Sequence, residues 1–170
     1  MNARIYNVLF LCTGNSARSI LAESIMNKLG NGQFRVYSAG RHPNGKGNPL
    51  ALELLEQLDF PTDGLRSKSW DEFAAPRDIH FDFVITVCDN AAGEVCPYWP
   101  GQPMTAHWGI PDPAPAQGTE LEKKFAFRQA FKAMETRIKL FLSLPLASID
   151  SVRLKERMDA IGKTVDTPQS

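Results

Sequence analysis

No apolar run in this chain comes near the length needed to span a bilayer, and neither charge sign is in excess. The first absence argues against a membrane-embedded protein. The second, with 19 Lys plus Arg balancing 19 Asp plus Glu, removes the basic surplus that marks nucleic-acid partners. Cysteine is scarce as well. Three residues, Cys12, Cys88 and Cys96, make an odd total that cannot form a fully paired structural framework and that suits a reducing compartment. No repeat, low-complexity tract or interdomain linker interrupts the 170 residues. The opening Met1-Asn2-Ala3-Arg4 runs into an apolar stretch too short for a signal-peptide core, so a cytoplasmic location is expected.

What is present reads as a single domain over residues 1–170 with strands and helices alternating. Tyr6 to Leu11 is apolar on both faces, the mark of a central parallel strand. Ser19 to Leu29 has helical spacing and stops at Gly30. Phe34 to Ser38, Phe81 to Val87 and Met104 to Trp108 read as three further strands. Pro49 to Leu58, a short piece from Ser69 to Phe73, Leu121 to Leu142 and Ser148 to Ile161 read as helices. Ser69 is a suitable helix cap. This alternation predicts an α/β fold with a parallel sheet, with the site at the carboxyl ends of its strands. Cys12, Cys88 and Asp112 all fall there.

The most informative segment is Cys12-Thr13-Gly14-Asn15-Ser16-Ala17-Arg18-Ser19, which lies between the first strand and the first helix. A short loop of small residues entering a helix aims several backbone N–H groups at one point, and the helix terminus and Arg18 add positive charge. Such a cup holds a tetrahedral oxyanion and favours the thiolate of Cys12. Asn15 can fix the loop's shape through backbone hydrogen bonds, and Ser19 can donate to the thiolate. A buried structural cysteine before a capping turn would not require an arginine aimed at its centre. Gly40 to Gly47 imitates a nucleotide-phosphate loop, but Gly47 replaces the Ser or Thr that holds magnesium and Pro43 removes an N–H. It is read as a flexible loop.

Cys88 and Cys96 bracket a stretch of small residues, Asp89 to Val95. Three readings stand: a zinc site with His80 or His107, two unrelated buried thiols, or a resolving pair for whatever Cys12 forms. The spacing does not fit a zinc knuckle. Asp112, between Pro111 and Pro113, is either a turn former or a general acid, and the Cys12 loop favours the acid. His107 and Trp108 read as packing residues.

Taken together, these residues resemble the low-molecular-weight phosphotyrosine phosphatase superfamily, and within it the arsenate reductase branch that works through a cysteine relay. The loop from Cys12 to Ser19 carries the resemblance with Ala22-Glu23, Ser38-Ala39-Gly40, Cys88 through Cys96-Pro97, and His107-Trp108-Gly109-Ile110-Pro111-Asp112-Pro113-Ala114. The likeness spans about residues 5 to 142, leaving an extra C-terminal helix at about 148–162. It implies a flavodoxin-like three-layer sandwich around a four-stranded parallel sheet. It also implies reduction of arsenate to arsenite through an adduct on Cys12 and a Cys12/Cys88/Cys96 disulfide relay. In that scheme Thr13, Gly14, Asn15, Ser16, Ala17, Arg18 and Ser19 bind oxyanion, and Asp112 is the acid. Phosphate and sulfate would compete with arsenate. Thioredoxin is the expected reductant, with glutaredoxin and glutathione as the other candidates. No tightly bound cofactor is implied, although some relatives place potassium beside the loop, where Asn15, Glu23 and Ser38 match part of a site. The branch point is a phosphatase that hydrolyses phosphate monoesters through cysteinyl-phosphate at Cys12; a non-catalytic anion-binding module is the remaining alternative. Two departures stand out: Ala17 replaces an additional cysteine common among relatives, and Ala114-Pro115-Ala116 replaces the tyrosines usual in the phosphatase branch.

Overall fold

The computed structural model describes residues 4–15, 17–43, 45–74, 80–88 and 103–164. Strand β1 (Tyr6–Cys12) enters helix α1 (Arg18–Leu29). Strand β2 (Phe34–Gly40) is followed by α2 (Pro49–Gln57) and the single turn α3 (Asp71–Ala74). Strands β3 (Phe83–Thr86) and β4 (Met104–His107) precede the long helix α4 (Glu120–Leu142) and the terminal α5 (Ser151–Gly162). The four strands form one parallel sheet in the order β2-β1-β3-β4.

β1 is central because its side chains are apolar in both directions. Val8, Phe10 and Cys12 join the larger core with Leu21, Ile25, Met134 and Phe141 from the helices. Leu9 and Leu11 turn to the opposite face, where Ala39, Phe81, Val84, Tyr37 and Trp70 cover them. This alternation is the pleat of a strand buried on both sides. The register sets Cys12 beside Gly40 and Leu11 beside Thr86, and Thr86 beside His107. The chain therefore leaves β1, β3 and β4 at one edge, and the site assembles there.

The third strand is shorter than its apolar run. Asp82, just before it, still pairs with both neighbouring strands, its N–H donating to the Asn7 carbonyl at 2.9 Å and its carbonyl accepting from the Met104 N–H at 3.0 Å, while its carboxylate accepts the Asn7 N–H at 2.9 Å and pairs with Arg4. At its other end the strand stops at Thr86, so Cys88 lies two residues beyond it. Helix α4 starts at a full capping box, in which Thr119 and Glu122 each accept the other's backbone N–H. Helix α5 starts three residues later than its apolar pattern suggests, because the Asp150 side chain takes the cap by accepting from the Arg153 N–H at 2.9 Å. It covers the sheet's outer strand: Leu154, Met158 and Ile161 join the main core, the Trp108 indole donates to the Met158 carbonyl at 3.0 Å, and Lys155 donates to the Thr105 carbonyl. A covered edge cannot recruit a foreign strand. Among the described residues, no helix is long and apolar enough to cross a membrane.

Candidate active site

Cys12 is the last residue of β1 and Arg18 is the first of α1, so the loop between them is a short strand-to-helix connection. Its shape depends on Asn15, whose φ of 45° lies in the left-handed region that asparagine tolerates better than most side chains. The Asn15 side chain is fully buried and bonded on both sides. Nδ2 donates to Ser19 Oγ at 2.8 Å and to Ser38 Oγ at 3.0 Å, while Oδ1 accepts from the Lys68 N–H at 2.8 Å. Because Ser19 Oγ accepts from Asn15, its own proton is left to give elsewhere. The expected role of Asn15 as the loop's brace therefore has a geometry.

Neighbouring segments complete the wall. Ser67 Oγ donates to the Gly14 carbonyl at 3.0 Å, and the His42 N–H donates to the Thr13 carbonyl at 2.9 Å. Gly40 is needed as glycine, since a Cβ there would stand 2.7 Å from the carbonyl oxygens of both Cys12 and Thr13. The segment read as a flexible loop thus holds to the site wall at two points, through His42 and through the Gly45 N–H, which donates to Ser67 Oγ at 3.2 Å. Thr13 Oγ1 is buried with no hydrogen-bond partner among the described residues. The α1 terminus has no side-chain cap, which leaves its first N–H groups for another acceptor.

Arg18 is only 3% exposed, and its guanidinium points across the sheet edge. Nη1 donates to the Ile110 carbonyl at 3.1 Å, and Nη2 lies 3.5 Å from Asp112 Oδ2. Asp112 is one-third exposed and braced through Oδ1, which accepts from the Ala114 N–H at 3.0 Å. The candidate acid and the oxyanion-binding cation therefore share one corner, with the acid on the solvent side. Cys12 and Cys88 are both buried, at 3% and 0% exposure. Cys12 is a thiol and Cys88 is disulfide-bonded. The Cys88 carbonyl lies 3.1 Å from where a Gly109 Cβ would be, which sets it against the segment after β4 that carries Ile110 and Asp112. Ser16, Cys96 and the Asp89 to Val95 segment lie outside the described residues. His107 Nδ1 pairs with Thr86 Oγ1 at 2.7 Å, and Trp108 is fully buried against Phe10 and Phe141, as packing residues should be. Among the described residues, no cluster of three or more His, Cys, Asp or Glu could hold a metal ion.

One participant was not legible in the sequence. Asn15, Glu23 and Ser38 do converge, with Ser38 Oγ donating to Glu23 Oε1 at 2.5 Å, but Lys68 joins them with its Nζ 3.7 Å from the same oxygen. Burial raises the Glu23 carboxyl above its ordinary 4.5, with Lys68 pulling it back. Burial likewise lowers the Lys68 ammonium below its ordinary 10.5, with Glu23 opposing. In sequence, Arg66-Ser67-Lys68-Ser69 looks like a solvated polar loop, and nothing local marks Lys68 as buried.

Comparison with known proteins agrees with this geometry. Residues 7–156 match the family described as low molecular weight phosphotyrosine protein phosphatase. An arsenate reductase of Oceanobacillus iheyensis is 39% identical over 134 residues, covering 79% of this chain and 93% of that protein. An arsenate reductase of Bacillus subtilis is 37% identical over 136 residues, with the same coverage of 79% and 93%. Among solved structures, an arsenate reductase from Archaeoglobus fulgidus superposes with a TM-score of 0.66 at 25% identity, covering 81% of this chain and 99% of that one. A thioredoxin-dependent arsenate reductase of Corynebacterium glutamicum gives 0.61 at 24% identity, covering 87% of this chain and 66% of the other. With a cysteine and an arginine bounding an oxyanion-shaped loop on a four-stranded parallel sheet, and a family match over nearly its whole length, this chain belongs to the low molecular weight phosphotyrosine protein phosphatase family.

Proposed function

We propose that this protein reduces arsenate to arsenite. The observation that carries the reading is the corner in which buried Arg18 meets Asp112 beside the Cys12 loop, with a second buried cysteine, Cys88, at the neighbouring strand end. The loop N–H groups and Arg18 hold the arsenate oxygens. The Cys12 thiolate attacks arsenic, and one hydroxyl leaves as water with a proton from Asp112. Cys88 then attacks Cys12 Sγ. The sulfur–arsenic bond breaks with its electron pair going to arsenic, so arsenite departs and a Cys12–Cys88 disulfide remains. Cys96 attacks Cys88 Sγ, which moves the disulfide to Cys88–Cys96 and returns Cys12 as thiolate.

The two electrons come from cysteine thiols, so the scheme uses no tightly bound cofactor. We assign thioredoxin as the dithiol that reduces the final disulfide, which places the protein in the cytoplasm. The test is arsenate-dependent NADPH oxidation with thioredoxin and thioredoxin reductase, with arsenite measured as product. Turnover there establishes the reaction and the reductant together. Turnover only with glutaredoxin and glutathione keeps the chemistry and replaces the partner. Failure with both, alongside brisk hydrolysis of an aryl phosphate, makes the protein a phosphatase working through cysteinyl-phosphate at Cys12.

A further inference from the structure

A potassium ion beside the loop would need oxygen atoms from Asn15, Glu23 and Ser38, and the structure has already committed them. Asn15 Oδ1 accepts the Lys68 N–H, and Asn15 Nδ2 turns donor protons toward Ser38 and Ser19. Ser38 Oγ is held between Asn15 and Glu23. Glu23, the one anionic group of the set, turns Oε1 to the Lys68 ammonium at 3.7 Å, and that ammonium also donates to the Arg66 carbonyl at 3.1 Å. The side chains of Lys68 and Glu23 are 6% and 13% exposed, so water contributes little to neutralising either. The residues present do not fit a potassium ion, because a second positive charge would have to share one carboxylate with Lys68.

We propose that Lys68 is a positioning residue that supplies, from within the chain, the positive charge this part of the loop requires. Its ammonium balances Glu23, Glu23 holds Ser38, and Ser38 and the Lys68 N–H together hold the Asn15 amide in its left-handed turn. Lys68 thus grips the loop twice, once through its backbone and once through its side chain. Oxyanion binding in this protein then needs no added monovalent cation. The inference rests on the Cys12 loop as an oxyanion site, a role that the reductase and phosphatase readings share.

The test is calorimetric titration of inorganic phosphate into the full chain, in choline chloride and in potassium chloride at equal ionic strength. The unsubstituted protein should bind with the same affinity in both salts. Lys68→Ala should bind about tenfold more weakly in choline and regain most of that loss in potassium. Lys68→Arg, which keeps the charge, should stay within a few-fold of the unsubstituted chain in either salt. A several-fold gain from potassium in the unsubstituted protein would overturn the proposal, and so would unimpaired binding by Lys68→Ala in choline. A loss in Lys68→Ala that neither potassium nor the arginine variant restores would reduce Lys68 to packing and overturn it too. Arsenate reduction assayed in parallel separates the two ideas: absent turnover with the expected phosphate pattern counts against the reductase and leaves Lys68 in its role.

Discussion

Replacing Asn15 by alanine should be among the most damaging single changes to the loop that leave its charges untouched. The side chain makes three hydrogen bonds, to Ser19, to Ser38 and from the Lys68 N–H, at 2.8 to 3.0 Å. All lie in a fully buried setting. At about 1 kcal/mol net for each bond, their loss comes to about 3 kcal/mol. Alanine must also adopt a φ of 45°, which adds about 1 kcal/mol. The sum of about 4 kcal/mol is a large part of the roughly 5–15 kcal/mol that holds a domain folded. Asn15→Gly removes the same bonds and accepts the backbone angle, so it should recover about 1 kcal/mol relative to alanine. Urea denaturation followed by far-ultraviolet circular dichroism measures both, provided the slope against denaturant is unchanged. If Asn15→Ala fell within 1 kcal/mol of the unsubstituted chain, the claim that this amide braces the loop would be wrong. Equal losses in the two variants would refute only the backbone part.

The remaining expectations concern the chemistry and its pH dependence. Cys96→Ser should complete about one turnover and retain a Cys12–Cys88 disulfide or mixed adduct, seen by mass spectrometry; sustained thioredoxin-dependent turnover would sink the relay. Asp112→Asn should slow the single-turnover rate by roughly 10²- to 10⁴-fold while phosphate still binds, and an unchanged rate would remove Asp112 from the acid role. The buried Glu23 carboxyl is raised above 4.5, so its contribution to stability is full below 4.5 and is lost as pH rises through the folded-state value. The unsubstituted chain should therefore lose stability relative to Glu23→Gln as pH rises from below 4.5 toward neutrality, and a difference of opposite slope in denaturation midpoints would contradict the assigned burial effect.

Much of this was legible because the informative groups are neighbours in the chain. The loop from Cys12 to Arg18 joins a strand to a helix, and the apolar pattern on either side located both elements. The short helix expected from Ser69 starts at Asp71, and Ser69 Oγ accepts from the Asp71 N–H at 3.1 Å in the turn before it. The boundary of α5 differed where a polar side chain took up a backbone N–H. Asp150 moved the start of α5 by accepting the Arg153 N–H as its cap, and the Asp82 carboxylate beside β3 accepts the Asn7 N–H and pairs with Arg4. Periodicity carries no information about such partners.

The sequence by itself determined the chemistry available: a thiol and an arginine at fixed spacing, two further cysteines, and an acid held between prolines. Covalent order and short-range sterics are enough to define those. Only the tertiary structure decided which groups face each other. Parallel pairing of β1 with β3, and of β3 with β4, carries the chain after β4 to the edge where Arg18 reaches Ile110, 92 positions away, and then Asp112. The same packing buries Lys68 against Glu23 and turns an ordinary loop lysine into part of the site. Burial and charge pairing depend on the whole fold, because they are set by what excludes water around a group and not by the residues beside it in the chain.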